Sequence, residues 1–220
     1  MSLKYQLAIF DLDGTVLDTL DDLADAVNAA LVQNGFPTRT REEVCAFVGN
    51  GIKKLIERAV PSGTGEAETA RTLGTFKTYY AAHCADKTAP YAGILPMLTA
   101  VRAAGVKTAV LSNKADFATQ ALCRRYFPAH FDVVMGEREA EGIPKKPAPD
   151  AVFAIMRTVG VSAAETVYVG DSEVDVQTAA NAGVDAVLVS WGFRTPAVLL
   201  ANGAKTVVDT TDELQAALLT

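Results

Sequence analysis

The stretch Leu7-Ala8-Ile9-Phe10-Asp11-Leu12-Asp13-Gly14-Thr15 decides the fold. Four apolar residues in a row read as a strand buried on both faces, the mark of a parallel sheet. The run ends in aspartate, and a second aspartate follows two residues later. Side chains at i and i+2 of an extended segment point the same way, so Asp11 and Asp13 can face one reacting centre. Gly14 then permits a sharp turn. Two neighbouring carboxylates repel each other unless a cation or a shared proton lies between them. An ordinary turn with an aspartate cap is the plainer alternative, but it leaves a buried strand ending in two acids without a reason.

The same layout recurs outward from this motif. Thr108–Leu111 ends at Ser112 and Asn113, Phe131–Val134 near Gly136, and Val167–Val169 at Gly170 and Asp171. Ala186–Val189 ends at Ser190 and Thr206–Val208 at Asp209. Helical segments lie between most of these runs, giving a β–α–β order. Leu95, Leu98 and Val101 mark one helix that Gly105 closes; Pro149 and Asp150 open another that runs to Gly160; Val174–Ala182 is a third, stopped near Gly183. The expected fold is α/β: a doubly wound, Rossmann-like parallel sheet. Polar residues at the ends of its strands should converge, because ligands of such sheets sit beyond the carboxyl ends of the strands.

One stretch breaks the alternation. From about Leu17 to Thr88 the pattern is helical, with no convincing strand. Leu20, Leu23, Ala24, Val27, Ala30 and Leu31 follow helical spacing up to Asn34 and Gly35. Thr40 and Glu43 form a capping box for a second helix. Gly49-Asn50-Gly51 interrupts before Ile52–Ala59, and a longer helix runs from Glu66 to about Ala85. This predicts a small α-helical domain, residues 17–88, inserted after the first strand of a core formed by 1–16 and 89–220.

Three further motifs carry chemistry. Asp171 and Asp175 in Gly170-Asp171-Ser172-Glu173-Val174-Asp175 lie four apart at a helix start, which brings them to one face. Taken alone they are equally an N-cap and a solvated acidic face. With Asp11 and Asp13 they suggest a carboxylate-rich magnesium site: a hard cation with oxygen ligands. Ser112-Asn113-Lys114 places a hydroxyl and an amide before a helix N-terminus, where they suit an anion or simply cap the helix. Lys145-Lys146-Pro147-Ala148-Pro149-Asp150 is a stiff loop presenting lysine, a compact charge able to hold a phosphoryl oxygen; a solvated surface lysine is the alternative.

These four motifs, in this order, resemble the haloacid dehalogenase superfamily of phosphatases, and the helical insertion resembles the cap domain found in that family. Phe47-Val48-Gly49-Asn50-Gly51 and Trp191-Gly192-Phe193-Arg194 look like the phosphoglycolate phosphatases within it. The resemblance implies roles. Asp11 is the nucleophile that forms an aspartyl-phosphate, and Asp13 the acid and base. Asp11, Asp13 through its backbone carbonyl, and Asp171 hold Mg²⁺. Ser112, Asn113, Lys146, Gly14 and Thr15 bind the phosphoryl group, with Asp175 as a supporting residue. Gly49, Asn50, Gly51 and Lys53 of the cap, with Lys54 beside them, read the leaving group. The implied substrate is a small phosphorylated metabolite, 2-phosphoglycolate being the best match. The alternatives are a phosphomutase of the β-phosphoglucomutase kind, a pyrophosphatase or sugar-phosphate phosphatase, and a non-catalytic phosphoryl-binding module. Thr15 stands where such mutases tend to have valine.

Composition excludes other classes. The chain has 220 residues, half of them hydrophobic, and a net charge of −6. An acidic chain does not suit nucleic acid, whose phosphates call for basic patches. No apolar run approaches the ~20 residues of a membrane span, and the N-terminus lacks the features of a secretory signal. Three cysteines, Cys45, Cys84 and Cys123, make no CxxC pair and read as buried, reduced thiols. The expectation is a cytoplasmic protein, a monomer or weak homodimer, with no nucleic-acid or membrane partner.

Overall fold

Each buried apolar run forms a strand, and the helices between them supply the crossovers. The computed structural model describes residues 3–220, so the first two residues of the expected core lie outside it. The order is β1 (Leu7–Phe10), β2 (Leu17–Asp18), α1 (Leu20–Gln33), α2 (Arg41–Phe47), α3 (Ile52–Ala59), α4 (Glu66–His83), β3 (Ala89–Pro90), α5 (Ile94–Ala103) and β4 (Lys107–Ala115). There follow α6 (Asp116–Tyr126), β5 (Val133–Glu137), α7 (Asp150–Val159), β6 (Thr166–Gly170), α8 (Glu173–Ala182), β7 (Asp185–Val189), α9 (Pro196–Ala201), β8 (Val207–Val208) and α10 (Thr211–Leu218). The chain divides into two compact units: one is the chain up to Leu17 with Pro90–Thr220, the other Asp18–Ala89.

The first unit is a doubly wound α/β fold. Its six strands lie in the order β5-β4-β1-β6-β7-β8 and every pairing is parallel. Strand β1 is the switch point, with the chain winding outward to β4 and β5 on one side and to β6, β7 and β8 on the other. Phe10 is level with Val110 of β4 and Val169 of β6. That register brings Asp11, Leu111 and Gly170 to the same height and stacks the polar ends of three strands together. Leu7, Ile9, Ala109, Leu111, Val152, Ile155 and Tyr168 form one core layer between the sheet and its helices.

Two sequence readings of this unit are corrected. Strand β4 does not end at Leu111 but continues to Ala115, with a break in register: Leu111 is level with Met135 and Ala115 with Glu137. Four steps along β4 therefore match two along β5, and Ser112-Asn113-Lys114 bulges out of the ladder. In α5 the buried positions are Ile94, Met97, Leu98 and Val101, whereas Leu95 is exposed. Leu98 and Val101 are buried as read, and Ile94 takes the place of Leu95.

The second unit is helical. Leu20, Leu23, Ala24, Val27, Ala30 and Leu31 of α1 are buried, and α1 packs along α4, where Phe76 and Tyr80 stack at 5.3 Å. The Thr40–Glu43 capping box opens α2. Asp22 is buried in the first turn of α1 and accepts hydrogen bonds from the backbone N–H groups of Lys87 and Thr88 and from the Thr88 hydroxyl. Among the described residues no helix is long and apolar enough to cross a membrane. None of the three cysteines forms a disulfide, and only Cys123 is fully buried; Cys45 and Cys84 are half-buried, unlike the sequence expectation.

Candidate active site

The polar ends of β1, β4 and β6 and the loop before α7 bring together Asp11, Asp13, Ser112, Asn113, Lys114, Lys146, Asp171 and Asp175. All but Asp13 are buried. Oxygens of Asp11, Asp171 and Asp175 lie within 4.8 Å of one another.

Lys146 is the hub. Its ammonium sits 2.9 Å from Asp11 Oδ1 and 2.8 Å from Asp175 Oδ1, and its side chain is 2% exposed. Burial alone would lower its pKa, but Asp11 and Asp175 outweigh that and hold it raised, so the group stays charged. Its backbone is clamped by Asn113: the Lys146 N–H donates to Asn113 Oδ1 at 2.8 Å, and Asn113 Nδ2 donates to the Lys146 carbonyl at 3.1 Å. Asn113, expected to bind a phosphoryl oxygen, is thus a positioning residue for Lys146. Its Oδ1 and one amide N–H are taken by a loop 33 residues away.

Asp175 does two jobs with two oxygens. Oδ1 meets Lys146. Oδ2 accepts from the backbone N–H groups of Asp171 and Ser172 and from the Ser172 hydroxyl at 2.6 Å, completing the capping box that opens α8. The plain reading of this motif as an N-cap and the reading of Asp175 as a support therefore describe one geometry. Gly170 allows it, since a Cβ there would come within 2.3 Å of Asp175 Cβ.

Asp171 is held from three sides. Thr15 Oγ1 donates to its Oδ1 at 2.9 Å and the Phe193 N–H to its Oδ2 at 2.7 Å. Gly14, with φ of +84°, passes so close that a Cβ would lie 2.4 Å from Asp171 Oδ2. Gly192 closes the third side, where a Cβ would meet Asp171 Cβ at 2.3 Å. Gly14 and Thr15 were expected to bind phosphate; the structure gives them other work. The Gly14 N–H donates to Leu17 O, and Thr15 is fully buried with its hydroxyl on Asp171. Trp191 Nε1 donates to the Thr15 carbonyl at 3.1 Å, fixing the turn from outside.

The nucleophile candidate Asp11 accepts on Oδ1 from the Leu12 N–H at 2.7 Å and from Lys146. Asp13, two residues on, meets Lys114 Nζ at 2.8 Å. Lys114 was not read as a site residue, although it stands in the Ser112-Asn113-Lys114 motif. Ser112 is buried, and its Oγ accepts from the Lys114 N–H.

Charge in this cluster does not balance within the protein. With every group ionised, four carboxylates face two ammonium groups, a formal excess of two negative charges. Burial first, then Asp175 and Asp171 with Asp13, push the Asp11 carboxyl up despite Lys146. Burial and Asp175 push Asp171 to about 7. The donor set is carboxylate oxygen, which suits a hard cation. Asp175 lies in this acidic group and carries four donors on its two oxygens. Asp171 carries two, one on each oxygen, and Asp11 two, both on Oδ1, so more lone-pair capacity is left on these two.

The cap residues lie in the helical unit. Gly49 and Gly51 have φ of +124° and +83° around Asn50. Asn50 Oδ1 accepts from Arg58 Nη2 at 2.7 Å, and Arg58 Nη1 donates to the Phe47 carbonyl. Lys53 is exposed and 4.0 Å from Glu57, which Lys54 meets at 2.6 Å.

A doubly wound sheet with two aspartates after its first strand, a buried lysine from a later loop and a further acidic pair defines a class of hydrolase. Residues 8–189 match the haloacid dehalogenase-like hydrolase family, and the chain belongs to it. Within that family it is a phosphatase, similar to phosphoglycolate phosphatases. It is 36% identical over 211 residues to the phosphoglycolate phosphatase of Pseudomonas syringae pv. tomato, covering 93% of this chain and 76% of the relative. It is 37% identical over 188 residues to that of Caulobacter vibrioides, covering 84% and 78%. A crystal structure from Lactobacillus delbrueckii subsp. bulgaricus, of a protein with a provisional phosphoglycolate phosphatase name, superposes with a TM-score of 0.94 at 39% identity over 99% of each chain.

Proposed function

We propose that this phosphatase hydrolyses a small phosphomonoester, 2-phosphoglycolate best of all, through an aspartyl-phosphate and with Mg²⁺. The observation that carries the reading is the buried carboxylate cluster of Asp11, Asp171 and Asp175, with Lys146 fixed against the Asp11 carboxylate. Asp11, the Asp13 backbone carbonyl and Asp171 would hold the ion. When bound, the cation neutralises the carboxylates and draws charge from the transferring phosphoryl group.

The protein's own groups supply the rest. Oδ1 of Asp11 is engaged by Leu12 and Lys146, which leaves Oδ2 to attack phosphorus. The new P–O bond forms in line as the ester P–O bond breaks, and Asp13 gives its proton to the departing alkoxide. Asp13 then takes a proton from the water that attacks the acyl-phosphate, and the aspartate and inorganic phosphate are released. Lys146 and Ser112 steady the phosphoryl oxygens. Asn113 and Asp175 hold Lys146, and Thr15, Phe193 and the two glycines hold Asp171.

The supporting relatives carry phosphoglycolate in their names. The experiment is hydrolysis of a panel of phosphomonoesters by the purified protein, with Mg²⁺ and with excess chelator. The expected result is Mg²⁺-dependent release of phosphate, highest in kcat/KM on 2-phosphoglycolate. Full activity in chelator removes the metal from the reading, and a higher kcat/KM on a sugar phosphate removes the substrate.

A further inference from the structure

Two lysines reach into this site, and each meets one of the two aspartates of the first motif. Lys146 meets Asp11. Lys114 meets Asp13, with its Nζ 2.8 Å from Oδ1 and its side chain only 4% exposed. Sequestering an ammonium from water is costly unless a partner compensates it, and here Asp13 is that partner.

The protein takes trouble to put Lys114 there. The register break carries it out of the β4 ladder. Its N–H donates to Ser112 Oγ at 3.2 Å, and its carbonyl accepts from Thr119 Oγ1. Strand β5 closes on the bulge through Gly136, where a Cβ would lie 2.4 Å from Asp116 Cα and 2.8 Å from the Lys114 carbonyl. Asp116, two residues on, accepts from the Gly136 N–H and from Arg138. The backbone that aims Lys114 is therefore fixed on both sides, and its reach to Asp13 spans 101 positions of sequence.

We propose that Lys114 is a positioning residue for Asp13, holding that carboxyl at the leaving-group oxygen. The proposal rests on the reading of Asp13 as the group that protonates the alkoxide. An alkyl alkoxide needs that proton to depart, whereas 4-nitrophenolate does not. Loss of Lys114 should therefore act selectively on alkyl phosphates. A lysine that bound the phosphoryl group instead would matter equally for both.

The test measures kcat/KM, which reports steps up to leaving-group departure, for Lys114→Met, Lys114→Gln, Lys114→Arg and Asp13→Asn. The substrates are 4-nitrophenyl phosphate and the alkyl phosphomonoester that the wild type hydrolyses fastest. General acid catalysis contributes ~10²–10⁴-fold, so Lys114→Met should lose roughly a hundredfold on the alkyl ester and less than about tenfold on the aryl ester. Lys114→Arg, which keeps the charge, should recover a large part of the loss. Lys114→Gln must show the same split, so a failure of the methionine variant to fold leaves the proposal testable. Equal losses on both substrates, or a change in KM alone, overturn it. Asp13→Asn separates the two ideas: a split there that the Lys114 variants lack overturns the role of Lys114 only. No split in Asp13→Asn overturns Asp13 as the acid, and the inference with it.

Discussion

Two lysines, one in each unit, are placed by opposite rules. In the α/β unit, Lys146 is 2% exposed, with carboxylates at 2.8 and 2.9 Å and an amide clamp on its backbone. In the helical unit, Lys53 is 76% exposed and 4.0 Å from its nearest acid. A surface pair of the second kind is worth little, because water screens it and two long side chains must be ordered to make it. A buried pair of the first kind is costly to break, since the survivor is left charged without a partner. The geometry that raises the cost also holds the ammonium and the carboxylates in one arrangement, which is what phosphoryl transfer asks of a protein. Function should therefore be sensitive to single changes in the α/β unit and tolerant of them on the helical one.

The sharpest way to break that contrast is Asp11→Asn. The amide is nearly isosteric but cannot attack phosphorus. We expect kcat to fall by more than about a thousandfold, while the melting temperature of the metal-free protein holds or rises. Stability is spared because Lys146 keeps Asp175 as its charged partner at 2.8 Å and the substitution removes one of the carboxylates that repel each other here. Residual turnover above a few per cent, in protein shown by mass spectrometry to be free of deamidation, rules out the covalent route.

The second effect is on stability, and its sign follows from Asp171. Burial and Asp175 raise its carboxyl from 3.8 to about 7. A raised acid stabilises the fold fully below its unfolded pKa, and that contribution is lost as pH rises through the folded value. In chelator, the protein should therefore lose melting temperature between about pH 4 and pH 7 and above. A divalent cation competes with the proton for the same oxygens, so Mg²⁺ should raise the melting temperature more at pH 8 than at pH 5.5. Equal increments at the two pH values, or none, place the cation elsewhere. The same measurement on Asp171→Asn should show a smaller increment and a flatter pH profile.

The legible part of this molecule is the part written in contiguous residues. Strands buried on both faces show as apolar runs, and the parallel fold, the helical insertion and the Asp11, Asp13 and Asp171 positions follow from them. Side chains whose partners are remote in sequence were not legible. Thr15 looks like a phosphate ligand until Asp171, 156 residues later, takes its hydroxyl. Asn113 reads as an N-cap or an anion ligand, yet its amide faces Lys146. Lys114 sits in a motif that drew attention to its neighbours, and only the register break against β5 aims it at Asp13. Gly192 stands in a stretch quoted for its family resemblance, but its packing against Asp171 shows only in the fold. A strand end can be found from one segment; what a side chain does there depends on a second.

The smallest effects belong to the helical unit, where the Gly49-Asn50-Gly51 break is a built feature. Both glycines take left-handed backbone, which a residue with a Cβ adopts only under strain. Asn50 braces the break by accepting from Arg58, whose other nitrogen reaches the Phe47 carbonyl. We propose that this unit sets substrate preference: the core motifs address the phosphoryl group, which all phosphomonoesters share, so discrimination must come from residues outside them. Asn50→Ala should then cost roughly tenfold in kcat/KM on 2-phosphoglycolate, about 1.4 kcal/mol of transition-state binding, and almost nothing on a neutral aryl phosphate. Lys53→Ala removes an exposed charge with a loose partner, so it should cost less, two- to threefold at most on the order of surface electrostatics. Arg58→Lys refines the point, because lysine cannot brace Asn50 and Phe47 together; its loss should follow that of Asn50→Ala in size and in substrate dependence. Equal losses on both substrates would mean that the break matters for folding alone. A larger loss from Lys53→Ala than from Asn50→Ala would reverse the opening contrast, since an exposed charge would then outweigh a braced turn.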